Sequence, residues 1–433
     1  MKKLTLVFTL YLLLVQFLSQ AQRTNFYLDK EQEFKKGIEF FDKQKYGSAL
    51  KCFQSVIENQ SKEKSLQRSD AEFYAAICAL ELFHKDGEWR LRKFIDENPG
   101  HNKIKFAYFH LGKSKYRKKK YIETIEWMEK VDVQDLNTED LSELYFKRGY
   151  SYLETGKTDK AKLDLYEIKD VDNKYTHPAN YYYSHIAYTE KNYQTALEGF
   201  NRLLKNETFG PVVPYYIAQI YFLQGKYEEV IKVGPQLLND SNHVQKAGEI
   251  NRIVGESYFY LKEYANSIPY LTKQNPAKRS GLYQLAYAYY KTGDYTLAAE
   301  KFELITETKD SLAQNANYHL ADCYLKLNDK IKARNAFYNA YSNNLNTEIT
   351  EDALFNFANL CYETDFSPFN EAINSFTKYI QEYPNSSRKD KAYEGLINCL
   401  MYTKNYSQVI KTIEKVTNPD IKLKTAYQKL HLS

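Results

Sequence analysis

The stretch 283-YQLAYAYYKTGDYTLAAEKFELI-305 decides the fold. Two apolar stripes of helical period flank the polar turn Lys291-Thr292-Gly293-Asp294, so the segment reads as a helical hairpin. Steps of 3, 9, 12, 16 and 19 residues from Ala286 reach Tyr289, Tyr295, Ala298, Phe302 and Ile305. The same steps from Gly37 reach Phe40, Tyr46, Ala49, Phe53 and Val56. From Gly149 they give Tyr152, Thr158, Ala161, Leu165 and Ile168, and from Ala321 they give Tyr324, Lys330, Ala333, Phe337 and Ala340. Weaker copies open at Ala75, Gly112, Ser184, Ala218, Gly255, Ala358 and Ile397, the one at Ala358 with a two-residue insertion near Ser367-Pro368.

The template has a physical logic. Its opening small residue lets the first helix approach its partner, the alanine twelve positions on does the same from the second helix, and the aromatics fill the space around those contacts. One hairpin cannot bury its own apolar face, so neighbours must stack into a continuous core. The expected fold is all-α: a right-handed superhelical solenoid of about eleven hairpins with a repeat of about 36 residues. Residues 420–432 read as one amphipathic helix, with Ile421, Leu423, Tyr427 and Leu430 apolar, that either caps the last hairpin or opens a further repeat.

The order of small residue, Tyr, Tyr, Ala and aromatic resembles the tetratricopeptide repeat family, and the resemblance covers roughly residues 30 to 433. The segments 96-DENPGHNKIKFAYFHLGKSKYRKKKY-121 and 382-EYPNSSRKDKAYEGLINCLMYTKNY-406 are similar to the repeats of bacterial envelope proteins, among them the outer-membrane assembly lipoprotein and the periplasmic cell-division coordinator. That resemblance implies a non-catalytic scaffold that holds a protein partner.

Composition narrows the alternatives. A net charge of +5 over 433 residues carries no nucleic-acid footprint. Residues 1–21 read as a secretory signal, with Lys2 and Lys3 ahead of the apolar run Leu4 to Phe17 and small residues at Ser19 and Ala21. The apolar run is shorter than the roughly 20 residues a membrane span needs, and no cysteine lies near the cut to make a lipoprotein, so the mature chain is expected in the periplasm. Cys52, Cys78, Cys323, Cys361 and Cys399 form neither a disulfide framework nor a zinc motif and read as buried small hydrophobes. The eight histidines show no ligand spacing, and no nucleophile, P-loop or dinucleotide motif occurs; no enzyme activity, metal or cofactor is expected.

Four segments follow from this reading: the signal, an arm over 22–210, a proline-interrupted part over 211–277, and a second arm over 278–433. Pro235 and Pro269 fall inside second helices, where a missing donor is expected to alter the curvature of the stack.

The 41 tyrosines exceed what the core template asks for. Template positions place Tyr181, His185 and Tyr188, then Tyr215, Gln219 and Phe222, then Arg252, Glu256 and Phe259 on the inner face of the first helices. Tyr283, Tyr287 and Tyr290 continue the series to Tyr318 and Asp322. Aromatics interleaved with hydrogen-bonding groups give contact area at little entropic cost, which suits an extended or helical peptide. Stacking of sugar rings on the same aromatics, as in an envelope glycan-binding module, is the alternative. The basic cluster Lys113, Lys115 and Arg117 to Lys120 reads either as charge at a helix C-terminus or as a docking patch for an acidic partner or lipid head groups. Export is expected to leave Gln22 as the amino terminus, which mass spectrometry of the chain recovered from envelope fractions would read directly; a retained Met1 would contradict it.

Overall fold

In a computed structural model, residues 30–59, 65–274, 278–364 and 369–424 are described. The expected signal at 1–21, the insertion around 367–368 and the end of the terminal helix lie outside them. The chain divides into two compact units, Met1–Gly199 and Phe200–Ser433.

Among the described residues the structure is helical and without strands. The helices pair in chain order as first and second members of hairpins. The first unit holds α1 (Lys30–Asp42) with α2 (Tyr46–Asn59), α3 (Leu66–Glu81) with α4 (Gly87–Glu97), α5 (Ile104–Arg117) with α6 (Tyr121–Met128), and α7 (Thr138–Glu154) with α8 (Thr158–Ile168). It ends with α9 (Thr176–Thr189) and α10 (Tyr193–Leu203), the latter crossing the unit boundary. The second unit continues with α11 (Val213–Leu223) and α12 (Tyr227–Leu237), α13 (Ala247–Tyr260) and α14 (Tyr264–Leu271), and α15 (Arg279–Thr292) and α16 (Tyr295–Glu303). Then come α17 (Ser311–Lys326) and α18 (Lys330–Asn343), α19 (Thr347–Thr364) and α20 (Asn370–Glu382), and α21 (Lys389–Tyr402) and α22 (Tyr406–Ile413).

The template's first step is visible as an interlock. A Cβ built on Gly37 would lie 2.7 Å from Phe53, on Gly112 2.6 Å from Met128, and on Gly255 2.8 Å from Leu271. In each case the blocking residue sits sixteen positions on, in the second helix of the same hairpin. The alanines twelve positions after the opening residue, Ala49, Ala161, Ala298 and Ala333, are fully buried. So are the aromatics Phe53 and Phe302, while Phe337 is nearly so.

The turns inside the hairpins repeat one geometry. Gln44, Phe83, Lys119, Gly156, Lys191, Gly225, Lys262, Gly293, Asn328 and Lys404 all have positive φ. The amide of the next residue reaches back five positions, as Asp294 to the Tyr289 carbonyl at 3.0 Å and Lys45 to Phe40 at 2.8 Å. This is the left-handed helix stop that satisfies orphan carbonyls and turns the chain within two or three residues.

Hairpins stack as expected. Within each unit, second helices pack between their own first helix and the next, and successive first helices also touch, α11 to α13, α15, α17, α19 and α21 in the second unit. The first helices therefore form a continuous layer there. The core of this unit has one cluster from Tyr215 through Val230 and Ile250 to Val254 and another from Ala286 through Phe302, Tyr324 and Phe376 to Val416. Residues 419–424 add a helical turn beyond α22, with Ile421 against that core and Lys424 2.6 Å from Glu394.

Pro235 and Pro269 do lie inside α12 and α14, and each helix ends two residues later. All five cysteines are buried. No helix of the described residues is long and apolar enough to cross a membrane.

Gly255→Ala is expected to destabilise the chain by about 1–3 kcal/mol through overpacking against Leu271, whereas Gly47→Ala, with nothing within 4 Å, is expected to be neutral or stabilising by up to about 1 kcal/mol. Urea unfolding of both variants checks the pair; equal effects would contradict the interlock.

Candidate partner-binding face

The first-helix layer carries the aromatics, and each unit shows its own arrangement. In the first unit Tyr181, His185 and Tyr188 share one face of α9. Their ring centroids are 6.3 Å apart from Tyr181 to His185 and 6.2 Å from His185 to Tyr188.

Next to them runs a cluster that the template also reaches but that the sequence reading left out. Tyr116 and Tyr150 are 5.9 Å apart, Tyr150 and Tyr182 4.9 Å, and Phe146 stacks on Tyr175 at 5.3 Å. Beneath them Glu143, buried, lies 3.0 Å from Lys113 and is also paired with Lys147. Burial pushes the Glu143 carboxyl up, but the Lys113 and Lys147 ammonium groups prevail and hold it at about 2. The overlooked residues stand one and four places after Gly112 and one place after Gly149, which is the rule used further along the chain.

The basic cluster is largely consumed inside the fold. Lys115, only 5% exposed, bridges Glu88 at 2.9 Å and Glu123 at 2.6 Å. Arg117 reaches Glu81, Lys118 reaches Glu88 and Lys120 reaches Glu123. These acids come from the preceding hairpin and from α6, so the cations tie hairpins together and leave little net charge for a docking patch.

In the second unit the expected residues divide by depth. Tyr215 and Glu256 are buried, at 7% and 8% exposure, and so support the face without forming its surface. Tyr215 lies under Lys246, whose ammonium is 4.0 Å from the ring centroid, and its hydroxyl is 2.6 Å from the Gln219 amide nitrogen. Arg252 sits over Phe222 at 5.2 Å and is paired with both Glu249 at 2.7 Å and Glu256 at 2.9 Å.

Phe259, Tyr283, Tyr287, Tyr290, Tyr318 and Asp322 are brought together and stay half-buried. Tyr287 has Phe259 at 5.9 Å, Tyr264 at 5.8 Å, Tyr283 at 6.1 Å and Tyr290 at 5.9 Å. The Tyr290 hydroxyl donates to Asp322 at 2.6 Å, and the Tyr318 hydroxyl donates to Asp352 at 2.7 Å. Burial first and Asp322 second push the Tyr290 phenol up, and burial and Asp352 do the same to Tyr318.

His319 is the hub that the sequence reading missed. Its ring lies 5.1 Å from Tyr287, 5.5 Å from Tyr290, 5.6 Å from Tyr318 and 5.9 Å from Phe302. Burial lowers its imidazole to about 4, with Asp322 acting weakly in the opposite direction. The ring is therefore neutral at physiological pH and leaves the face without a fixed positive charge at its centre.

The tetratricopeptide repeat family matches residues 283–344 and 142–175. No curated protein matches the sequence. Among solved structures, the C-terminal part of a TPR repeat-containing protein from Cytophaga hutchinsonii is 21% identical over 57% of this chain and 99% of that chain, with a TM-score of 0.42. Pseudomonas aeruginosa pilF is 16% identical over 49% of this chain and 96% of its own, with a TM-score of 0.36. A tetratricopeptide repeat protein from Parabacteroides merdae is 17% identical over 60% of this chain and 99% of its own, with a TM-score of 0.35.

Two half-buried imidazoles set an acid limit. His319 and His110, held at about 4 and about 3, bind fewer protons folded than unfolded below the ordinary 6.5. Stability is expected to be full above about pH 6.5 and to fall as the pH drops toward 4. Urea midpoints across that range check this, with His319→Phe expected to flatten part of the fall; an unchanged slope in that variant would contradict the assignment.

Proposed function

We propose that this tetratricopeptide-repeat protein is an exported scaffold, working in the periplasm, that holds a peptide or protein segment against the first-helix face. Repeats of this type serve protein–protein interaction, and the family match supports that coarse role. The observation that carries the finer reading is the cluster around Tyr287, where rings from α13, α14, α15 and α17 meet and remain half-buried. A core that needed only to be filled would hide these rings. Left half open beside Asp322, they offer apolar area and an acceptor together, the pairing that anchors peptide side chains. The packing of Cys, Ala and Phe behind them holds the first helices rigid, so little ordering is lost on binding.

Stacking of a sugar ring on Tyr283 or Tyr287 is the second reading, favoured by the parallel arrangement of those two rings, 18° between planes. Tyr287→Leu is expected to weaken binding of peptides displayed as a library by at least about tenfold, the loss of one aromatic anchor. Equilibrium titration of the mature chain measures it, with circular dichroism controlling for folding. Retained peptide affinity in the folded variant would remove the face from this role, and a response to cell-wall fragments in place of peptides would favour the glycan reading.

A further inference from the structure

We infer that the cluster formed by Tyr287, Tyr290, Tyr318 and Asp322 receives a basic side chain, an arginine in preference to a lysine, from the bound protein segment. This deepens the proposed role and rests on the first-helix face being the partner-binding surface.

Three observations converge. The first is a carboxylate without a cation. Of the acids along this layer, Glu249 and Glu256 are held by Arg252, and Glu351 and Asp352 are held by Arg388. Asp322 instead takes a hydrogen bond from the Tyr290 hydroxyl, and no lysine or arginine of the described residues makes an ion pair with it.

The second is a cation already on the rings. The Lys291 ammonium lies 5.2 Å from the centroid of Tyr287 and 5.7 Å from that of Tyr290, inside the range where a ring face attracts positive charge. Lys291 is exposed, so a solvated and displaceable group of the chain itself occupies the place a partner's cation would take.

The third is the neutral floor. His319, lowered by burial, touches Tyr283, Tyr287, Tyr290 and Tyr318 and adds no charge to repel the incoming group. A guanidinium stacks on a tyrosine face while presenting a planar fork of donors to one carboxylate, a combination that an ammonium cannot reproduce. The rings continue from Phe259 and Tyr264 on one side to Tyr318 on the other, a length that suits a chain carrying the cation in preference to a small free amine.

The test uses the mature full-length chain and a peptide library whose central position is fixed as Arg, Lys, Gln or Glu. Arg peptides are expected to bind about tenfold more tightly than Gln peptides, with Lys between them, as one desolvated cation contact implies. Asp322→Asn, which keeps an acceptor for Tyr290, is expected to remove most of that preference. Lys291→Ala is expected to raise the affinity for Arg peptides two- to threefold by clearing the competing cation. Equal binding of Arg and Gln peptides, a preference for Glu, or an Arg preference surviving in Asp322→Asn overturns the inference. If peptides bind without any basic preference yet lose affinity in Tyr287→Leu, the face stands and only its chemistry is wrong. If Tyr287→Leu changes nothing, the face itself is wrong. Free arginine amide competing as well as the Arg peptide would assign the site to a small amine and also overturn the inference.

Discussion

Everything in this chain depends on how closely the two helices of a hairpin approach. Gly37, Gly112 and Gly255 sit where a side chain would strike Phe53, Met128 and Leu271, and the contact is short enough that the hairpin's spacing is set by those pairs. Where the opening residue is alanine, as at Ala286 and Ala321, it is fully buried, and the residue sixteen places on is still a phenylalanine. Close approach buries the alanines of the second helix, and within each unit the next hairpin packs on that helix. Without that first contact there would be no flat apolar flank to stack, and stacking is the means by which such hairpins bury their surface.

The second constraint is the turn. A left-handed residue between first and second helix recurs whether the residue is glycine, as at Gly156, Gly225 and Gly293, or lysine, as at Lys119, Lys191, Lys262 and Lys404. A lysine in that region of φ and ψ costs about 1 kcal/mol or more against glycine. The geometry persists regardless, because the backbone bonds it makes and the packing on either side outweigh the local cost. Local preference thus yields to the repeat.

That ordering explains what the sequence disclosed. Helix type, pairing and stacking were legible at Gly37, Gly149, Ala286 and Ala321 because small and aromatic residues at fixed steps are the direct imprint of the interlock. Depth on the first-helix face was not. Tyr215 and Glu256 share template positions with half-buried residues elsewhere, yet Lys246 from the turn before α13 covers Tyr215 and Arg252 draws Glu256 inward. Neither event has a periodic signature, since each depends on a neighbour supplied by an irregular segment or by side-chain pairing. His319 escaped for a related reason: a lone histidine two places before Ala321 carries no motif, and only the convergence of rings from separate helices makes it a hub. Lys113, Tyr116 and Tyr150 were legible in principle, standing at the same steps from Gly112 and Gly149.

Tyrosine connects the fold with the role proposed for it. A phenylalanine at Tyr290 or Tyr318 would fill the same volume, but its ring could not donate to Asp322 or Asp352. The Tyr290 donation holds Asp322 in place without neutralising it, whereas Asp352, which Tyr318 also reaches, is paired with Arg388 as Glu256 is with Arg252. The tyrosines therefore let the face keep negative potential at Asp322 while its neighbours are cancelled. A surface that is aromatic, rigid and negative at one point discriminates among partner segments by charge as well as by shape, and a purely apolar inner layer could not do that.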